Sequence, residues 1–211
     1  MITQRKLILV CGLSATGKSR GADYVMNLFP REDPRFFDMD EVREKTWGER
    51  AKNLTSEEHR FKNKLTRNEV QKAFVLGARI VVLNMVMPSK NSHQKPFVEM
   101  VRETERMLSQ IEFEREVGGW DPGPHPDAYK ITIDVRALWF DCDQETARKR
   151  LEERAKNPHV SDLTDIKIWL RNKATFEPPD GENYPFIRVD TTDESVDAEQ
   201  RRQTAIKDFV I

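Results

Sequence analysis

Leu7 to Cys11 is an unbroken apolar run that stops at Gly12. A strand with one wet face alternates, so a continuous run of this length predicts a strand buried on both faces, as in a parallel sheet. A helix follows, because Ala22, Val25, Met26 and Phe29 recur at i, i+3, i+4 and i+7 before Pro30 ends it. Arg35 to Asp38 suits a short second strand, and a new segment opens from Asp40 to Trp47. Helical spacing returns from Lys64 to Gly77 through Val70, Ala73 and Phe74, and Arg79 to Leu83 predicts a third buried strand. Phe97 to Glu116 predicts a long amphipathic helix with Met100, Val101, Met107, Leu108 and Ile111 turned inward.

Ile131, Ile133 and Val135 alternate with polar residues before Ala137 to Phe140 runs apolar, which predicts a fourth strand more deeply buried at its far end. Helical patterns follow from Glu145 to Lys156 and from Asp162 to Thr175, then a fifth strand from Phe186 to Val189 and a last helix from Ser195 to Phe209. Three glycines and three prolines between Gly118 and Tyr129 mark a surface loop or insertion. Strands alternating with helices predict an α/β fold: a five-stranded, mostly parallel sheet with helices on both faces. At 211 residues there is room for one such domain, spanning 1–211.

Charge narrows the partners. Lys and Arg number 35 against 36 Asp and Glu, so no global field draws the chain to nucleic acid or anionic lipid, although a local basic cleft is compatible with that balance. No apolar stretch approaches a membrane span. Cys11 and Cys142 sit in strand-like surroundings and support neither a disulfide framework nor a thiolate metal site; a reducing cytoplasm is the expected location. His59, His93, His125 and His159 show no metal-ligand spacing and read as surface or loop residues, while Trp139 reads as core.

Candidate chemistry begins where the first strand ends. Gly12-Leu13-Ser14-Ala15-Thr16-Gly17-Lys18-Ser19 matches G-x-x-x-x-G-K-[ST] between a predicted strand and a predicted helix, the context a phosphate-binding loop needs. The glycines let consecutive amides, those of Ser14, Ala15 and Thr16 among them, curl toward phosphate oxygens, and the helix N-terminus adds its partial positive charge. Lys18 would reach the β- and γ-phosphates and the Ser19 hydroxyl would ligate Mg²⁺. Asn63-Lys64-Leu65-Thr66 lacks the aspartate of a guanine-reading motif, so ATP is the expected nucleotide.

The segment Phe36 to Arg43 follows the first helix by one short loop. With the phosphate loop, it resembles the P-loop kinases related to the phage polynucleotide 5′-kinase and the zeta-toxin-like kinases, an AAA-type ATP-binding group with a nucleoside-monophosphate-kinase-like fold. Asp40 to Arg43 matches the D-x-x-R motif of that group. The resemblance implies that Asp40 takes the proton of the attacking hydroxyl and that Arg43 orients the acceptor. Asp38 is the competing base or an outer-sphere magnesium ligand. Leu138 to Asp190 resembles the fourth strand, arginine-bearing lid helix and following turn of these kinases, which makes 145–175 lid-like and Arg150 and Arg154 the candidates for balancing charge on the transferring phosphoryl group. Val81 to Val86 departs from the pattern: Asn84 stands where relatives carry an acid, and an amide can hydrogen-bond a substrate or water but cannot act as a base.

Plainer readings stand beside these. Asp40 also suits the N-cap of a helix starting at Glu41. Arg43 also suits a surface pair with Glu41 or Asp40. Arg148, Arg150 and Arg154 also suit a solvated stripe balanced by Glu145, Glu152 and Glu153. The leading function is ATP-dependent phosphoryl transfer to a hydroxyl of a small or medium acceptor, such as a sugar, a nucleoside, a nucleotide-sugar or an antibiotic-like compound. The alternatives are a 5′-hydroxyl polynucleotide kinase, supported by Asp40-x-x-Arg43 and opposed by the neutral charge, and an ATP-binding regulatory or toxin-related module with little catalysis, suggested by Asn84.

Overall fold

The computed structural model describes residues 3–52, 54–86, 94–117, 130–156, 165–179 and 181–211. Strands β1 (Thr3–Cys11), β2 (Arg35–Asp38), β3 (Ile80–Met85), β4 (Ile131–Asp141) and β5 (Phe186–Asp190) form one sheet in the order β2-β3-β1-β4-β5. Every neighbouring pair is parallel. The continuous apolar run is explained by position: β1 lies between β3 and β4, with helices over both faces, and Leu7 to Cys11 are fully buried.

Successive β1 side chains feed opposite cores, as the period of two requires. Leu7, Leu9 and Cys11 join Val70 and Phe74 of α3 (Ser56–Val75) and Met100 and Leu108 of α4 (Lys95–Val117). Ile8 and Val10 join Ala22 and Val25 of α1 (Lys18–Leu28) and Ile206 and Val210 of α7 (Val196–Val210). A third cluster lies at the C-terminal edge of the sheet. There Leu13, Ala15 and Cys142 pack against Ala147 and Leu151 of α5 (Gln144–Ala155) and Trp169 of α6 (Ile166–Thr175). Because all strands run one way, the ends of β1, β2 and β4 deliver the phosphate loop, α2 (Met39–Trp47) and α5 to that same edge, where open α/β sheets bind ligands.

Several expectations are corrected. Helix α3 starts at Ser56, a full two turns before Lys64, because Thr55 and Glu58 form a reciprocal capping box: the Glu58 amide donates to Thr55 Oγ1 at 3.2 Å and the Thr55 amide to Glu58 Oε2 at 2.8 Å. That end of the helix is polar, so apolar spacing does not report it. Met107 and Ile111 of α4 are 37% and 43% exposed, not turned into the core. Trp139 is half-buried, stacked on Phe176 with the Arg188 guanidinium over its ring. The expected loop at 118–129, the start of the helix expected from Asp162, and His93, His125 and His159 lie outside the described residues.

Candidate active site

The loop from Gly12 to Ser19 has the curled backbone its glycines permit. Gly12 has φ 146°, and a Cβ there would sit 2.3 Å from the Phe140 carbonyl oxygen and 2.8 Å from Thr16 Oγ1. Gly17, the N-cap of α1, has φ 89°, and even Ala15 is left-handed at φ 64°. Leu13 O accepts from Thr16 Oγ1 at 2.8 Å and from Lys18 Nζ at 2.7 Å. The next three carbonyls are held from outside the loop: Ser14 O by Trp169 Nε1, Ala15 O by Arg150 Nη1 and Thr16 O by Thr191 Oγ1, each at 3.0 Å. Ser19 is exposed in the first turn of α1.

Lys18 is the electrostatic centre. Burial pushes its ammonium down to about 8, with Asp40 opposing, Arg154 acting in the same sense and Asp38 opposing. Those three charges come from two directions, the carboxylates from the β2–α2 junction and the guanidinium from α5.

At that junction Asp38, not Asp40, is the N-cap, and α2 begins at Met39. Asp38 Oδ1 accepts from the Asp40 amide and Oδ2 from Asn84 Nδ2, both at 2.7 Å. Asn84 faces Asp38 across the β2–β3 register and is 6% exposed, so its amide holds a carboxylate and is not presented to solvent. The Asp40 side chain is 55% exposed and pairs with Arg43 at 3.5 Å, one helical turn on, while Arg43 is largely buried. The pairing that a plain surface reading expects is therefore present, and its Asp40 also acts on Lys18.

One residue of this group escapes sequence reasoning. Lys62 of α3 has its ammonium pushed down by burial, with Asp40 and Asp38 opposing and Arg43 acting in the same sense. It stands in the field of both carboxylates, next to Phe61, whose ring meets Trp47 of α2 edge-on at 6.2 Å. The Thr55–Glu58 capping box reveals the helix that carries Lys62. No local motif reveals its role.

The two arginines expected to act on the phosphoryl group divide. Arg150 donates from Nε and Nη2 to Glu194 Oε1 at 3.0 and 2.7 Å, from Nη2 to Thr191 O at 2.7 Å, and from Nη1 to Thr191 Oγ1 and Ala15 O at 3.0 Å. These bonds use all the N–H directions of a guanidinium. Arg154 is half-buried, and its side chain makes no hydrogen bond or ion pair with another described residue. Arg148 pairs with Glu152 at 3.2 Å on an exposed face, as a solvated stripe would. Arg150 and Arg154 share a cavity of about 440 Å³ with Tyr24, Thr191, Arg202 and Gln203, between α1, α5 and α7.

Among the described residues, no group of three His, Cys, Asp or Glu side chains could hold a metal, and no helix is long and apolar enough to cross a membrane. Cys11 and Cys142 are buried free thiols.

A family model for the AAA domain matches residues 7–179. The chain belongs to that family. It carries a P-loop within an AAA domain, and solved structures share its fold. A sugar kinase from Janibacter sp., solved without ligand, is 15% identical with a TM-score of 0.58, covering 98% of this chain and 95% of that chain. Kti12 from Chaetomium thermophilum in complex with ADP-AlF3 is 15% identical with a TM-score of 0.57 over 97% and 99%. Shikimate kinase from Acinetobacter baumannii in complex with shikimate is 13% identical with a TM-score of 0.50 over 97% and 92%. At such identities the likeness is one of fold. No curated protein matches the chain.

Proposed function

We propose that this AAA domain transfers the γ-phosphoryl group of ATP to a hydroxyl of a small or medium acceptor. The observation that carries the reading is the arrangement about Lys18, with Asp40 and Asp38 acting on it from the β2 side and Arg154 from α5. Phosphoryl transfer needs a cationic cradle for the donor, a base beside the acceptor oxygen and positive charge on the equatorial oxygens, and these residues are of the right types.

The loop fits a nucleotide, since Gly12, with φ 146° and packed against the Phe140 backbone, permits the curl that turns amides inward, and Ser19 offers an exposed hydroxyl where Mg²⁺ would bind. Mg·ATP, held by the loop amides, Lys18 and Ser19, would supply the transferable group and a divalent charge to offset that of its phosphates. The chain's own residues do the rest. Lys18 meets the terminal phosphates, Asp40 accepts the acceptor's proton, and Arg43 fixes the Asp40 carboxylate and orients the acceptor. Asp38 has both oxygens engaged, so it positions the start of α2, and Asn84 holds Asp38 in turn. Lys62 adds a cation to the acceptor side.

A second reading, an ATP-binding module with little catalysis, draws on Asn84, whose amide leaves the end of β3 without an acid. The test is transfer of label from γ-labelled Mg·ATP to a panel of sugars, nucleosides, nucleotide-sugars, hydroxyl-bearing antibiotics and a 5′-hydroxyl oligonucleotide. Transfer to one small-molecule class is the expected result. ATP binding without transfer or hydrolysis favours the second reading, and transfer to the oligonucleotide alone makes the acceptor a polynucleotide.

Two further results follow from the charges. Arg154→Ala should lower kcat at least about tenfold while ATP affinity stays within a few-fold, because its charge matters most as the phosphoryl group transfers. Lost affinity at unchanged kcat would make Arg154 a ground-state contact. Affinity itself should fall as pH rises above about 8. Phosphates raise the Lys18 pKa on binding, so above the free value the complex holds a proton that the free protein lacks, and binding takes that proton up. Calorimetry in buffers of different ionisation enthalpy reads the uptake directly; zero uptake at pH 9 would contradict it.

A further inference from the structure

Three consecutive carbonyls of the phosphate loop are fixed from outside it, two of them by the lid-like helices. Trp169 of α6 holds Ser14 O, Arg150 of α5 holds Ala15 O, and Thr191, just beyond β5, holds Thr16 O. The peptide unit is planar and trans, so a carbonyl drawn outward turns the amide N–H that follows it the opposite way. Anchoring the carbonyls of Ser14, Ala15 and Thr16 therefore turns the amides of Ala15, Thr16 and Gly17 inward, the orientation in which they donate to phosphate oxygens. Ala15 is in a left-handed conformation that a non-glycine residue holds only when its surroundings over-determine it.

The anchors are themselves braced. Arg150 spans Ala15 O, both oxygens of Thr191 and the Glu194 carboxylate, so one guanidinium joins α5, the phosphate loop and the turn after β5. Thr191 is tied to β4 through its amide, which donates to Asp141 O at 2.8 Å. Trp169 is buried in the apolar cluster with Leu13, Ala15 and Leu151, which fixes the direction of its indole N–H.

We infer that Arg150 and Trp169 are positioning residues that preset the amides of the phosphate loop, so that α5 and α6 govern affinity for the polyphosphate of the nucleotide. The inference rests on the reading that this loop binds ATP. It separates Arg150 from Arg154: one shapes the ground-state cradle, and the other is available to the transferring group.

The test measures binding of a non-hydrolysable Mg·ATP analogue and of Mg·tripolyphosphate by calorimetry, and steady-state kinetics with any acceptor found. Trp169→Phe keeps the ring and removes only the N–H donor. It should weaken both ligands by about threefold to tenfold, the worth of one hydrogen bond. Arg150→Ala should weaken both by more than about tenfold, and Arg150→Lys should recover part of that loss. In each variant KM for ATP rises while kcat stays within about threefold, since uniform binding is lost and not transition-state stabilisation. If the wild type binds both ligands and both Trp169→Phe and Arg150→Lys bind them equally well, the inference fails and the ATP reading survives. If either variant loses kcat at unchanged KM, the helices act in chemistry and the inference also fails. A wild type that binds neither ligand overturns the ATP reading, and the inference with it.

Discussion

Asp40→Asn is expected to slow phosphoryl transfer at least about a hundredfold while Mg·ATP binding stays within a few-fold, the usual size of a general-base contribution. The argument is geometric before it is chemical. Asp38 is committed on both oxygens, to the Asp40 amide and to Asn84, whereas Asp40 is 55% exposed and its one ion pair, with Arg43, is 3.5 Å long. Asp40 therefore keeps lone pairs for a proton, and an asparagine there preserves volume and hydrogen bonding but not basicity. Asp38→Asn is the matched control. Asparagine is also a good N-cap and an amide can still bond to Asn84, so the expected loss is below about tenfold. A larger loss at Asp38 than at Asp40 would move the base two residues upstream. If both variants transfer at the parent rate, neither carboxylate is the base.

Lys18→Ala should reduce kcat/KM for ATP by about a thousandfold or more, because the ammonium supplies charge to oxygens in a poorly solvated pocket, where a charge-assisted contact counts most. The same substitution should raise the melting temperature of the ligand-free protein. Burial drives the Lys18 ammonium down to about 8, so at neutral pH the folded chain carries a charge it would rather not desolvate. With a depressed folded pKa, this penalty is full below about 8 and fades as pH rises toward the ordinary lysine value. Stability gained and activity lost in one substitution is the signature of a group retained for function. A lower melting temperature would instead mean that the hydrogen bond from Lys18 to Leu13 O outweighs the burial cost.

What could be read from the chain alone was what is encoded locally. The run from Leu7 to Cys11 announces a central strand, and Gly12 to Ser19 announces its own backbone shape, because both depend on neighbours within a few residues. The helical face assigned to Met107 and Ile111 failed because an amphipathic stripe wider than its contact leaves its margins exposed. Asp38 as the cap of α2 was missed because two aspartates two residues apart offer the same chemistry, and only the β2–β3 register, which sets Asn84 opposite Asp38, tells them apart. Lys62 and Trp169 were not singled out, and the loop contact of Arg150 was not foreseen, for a different reason. Each acts on residues far away in the chain, 135 positions for Arg150 with Ala15 and 155 for Trp169 with Ser14, and no spacing rule spans such distances.

The strand order has an evolutionary corollary. β1 carries β3 and β2 on one flank and β4 and β5 on the other, so Asp38, Asp40, Arg43 and Lys62 stand on one shoulder of the phosphate loop, and the cavity with Tyr24, Thr191 and Gln203 on the other. The loop and Lys18 lie between the two shoulders, and Val86 beyond β3 also packs into the cluster of α5 and α6. If the proposed roles hold, the segment from β2 through α3 can change to take a new acceptor while the donor side keeps its own residues, and substitutions on one shoulder weigh mainly on one ligand.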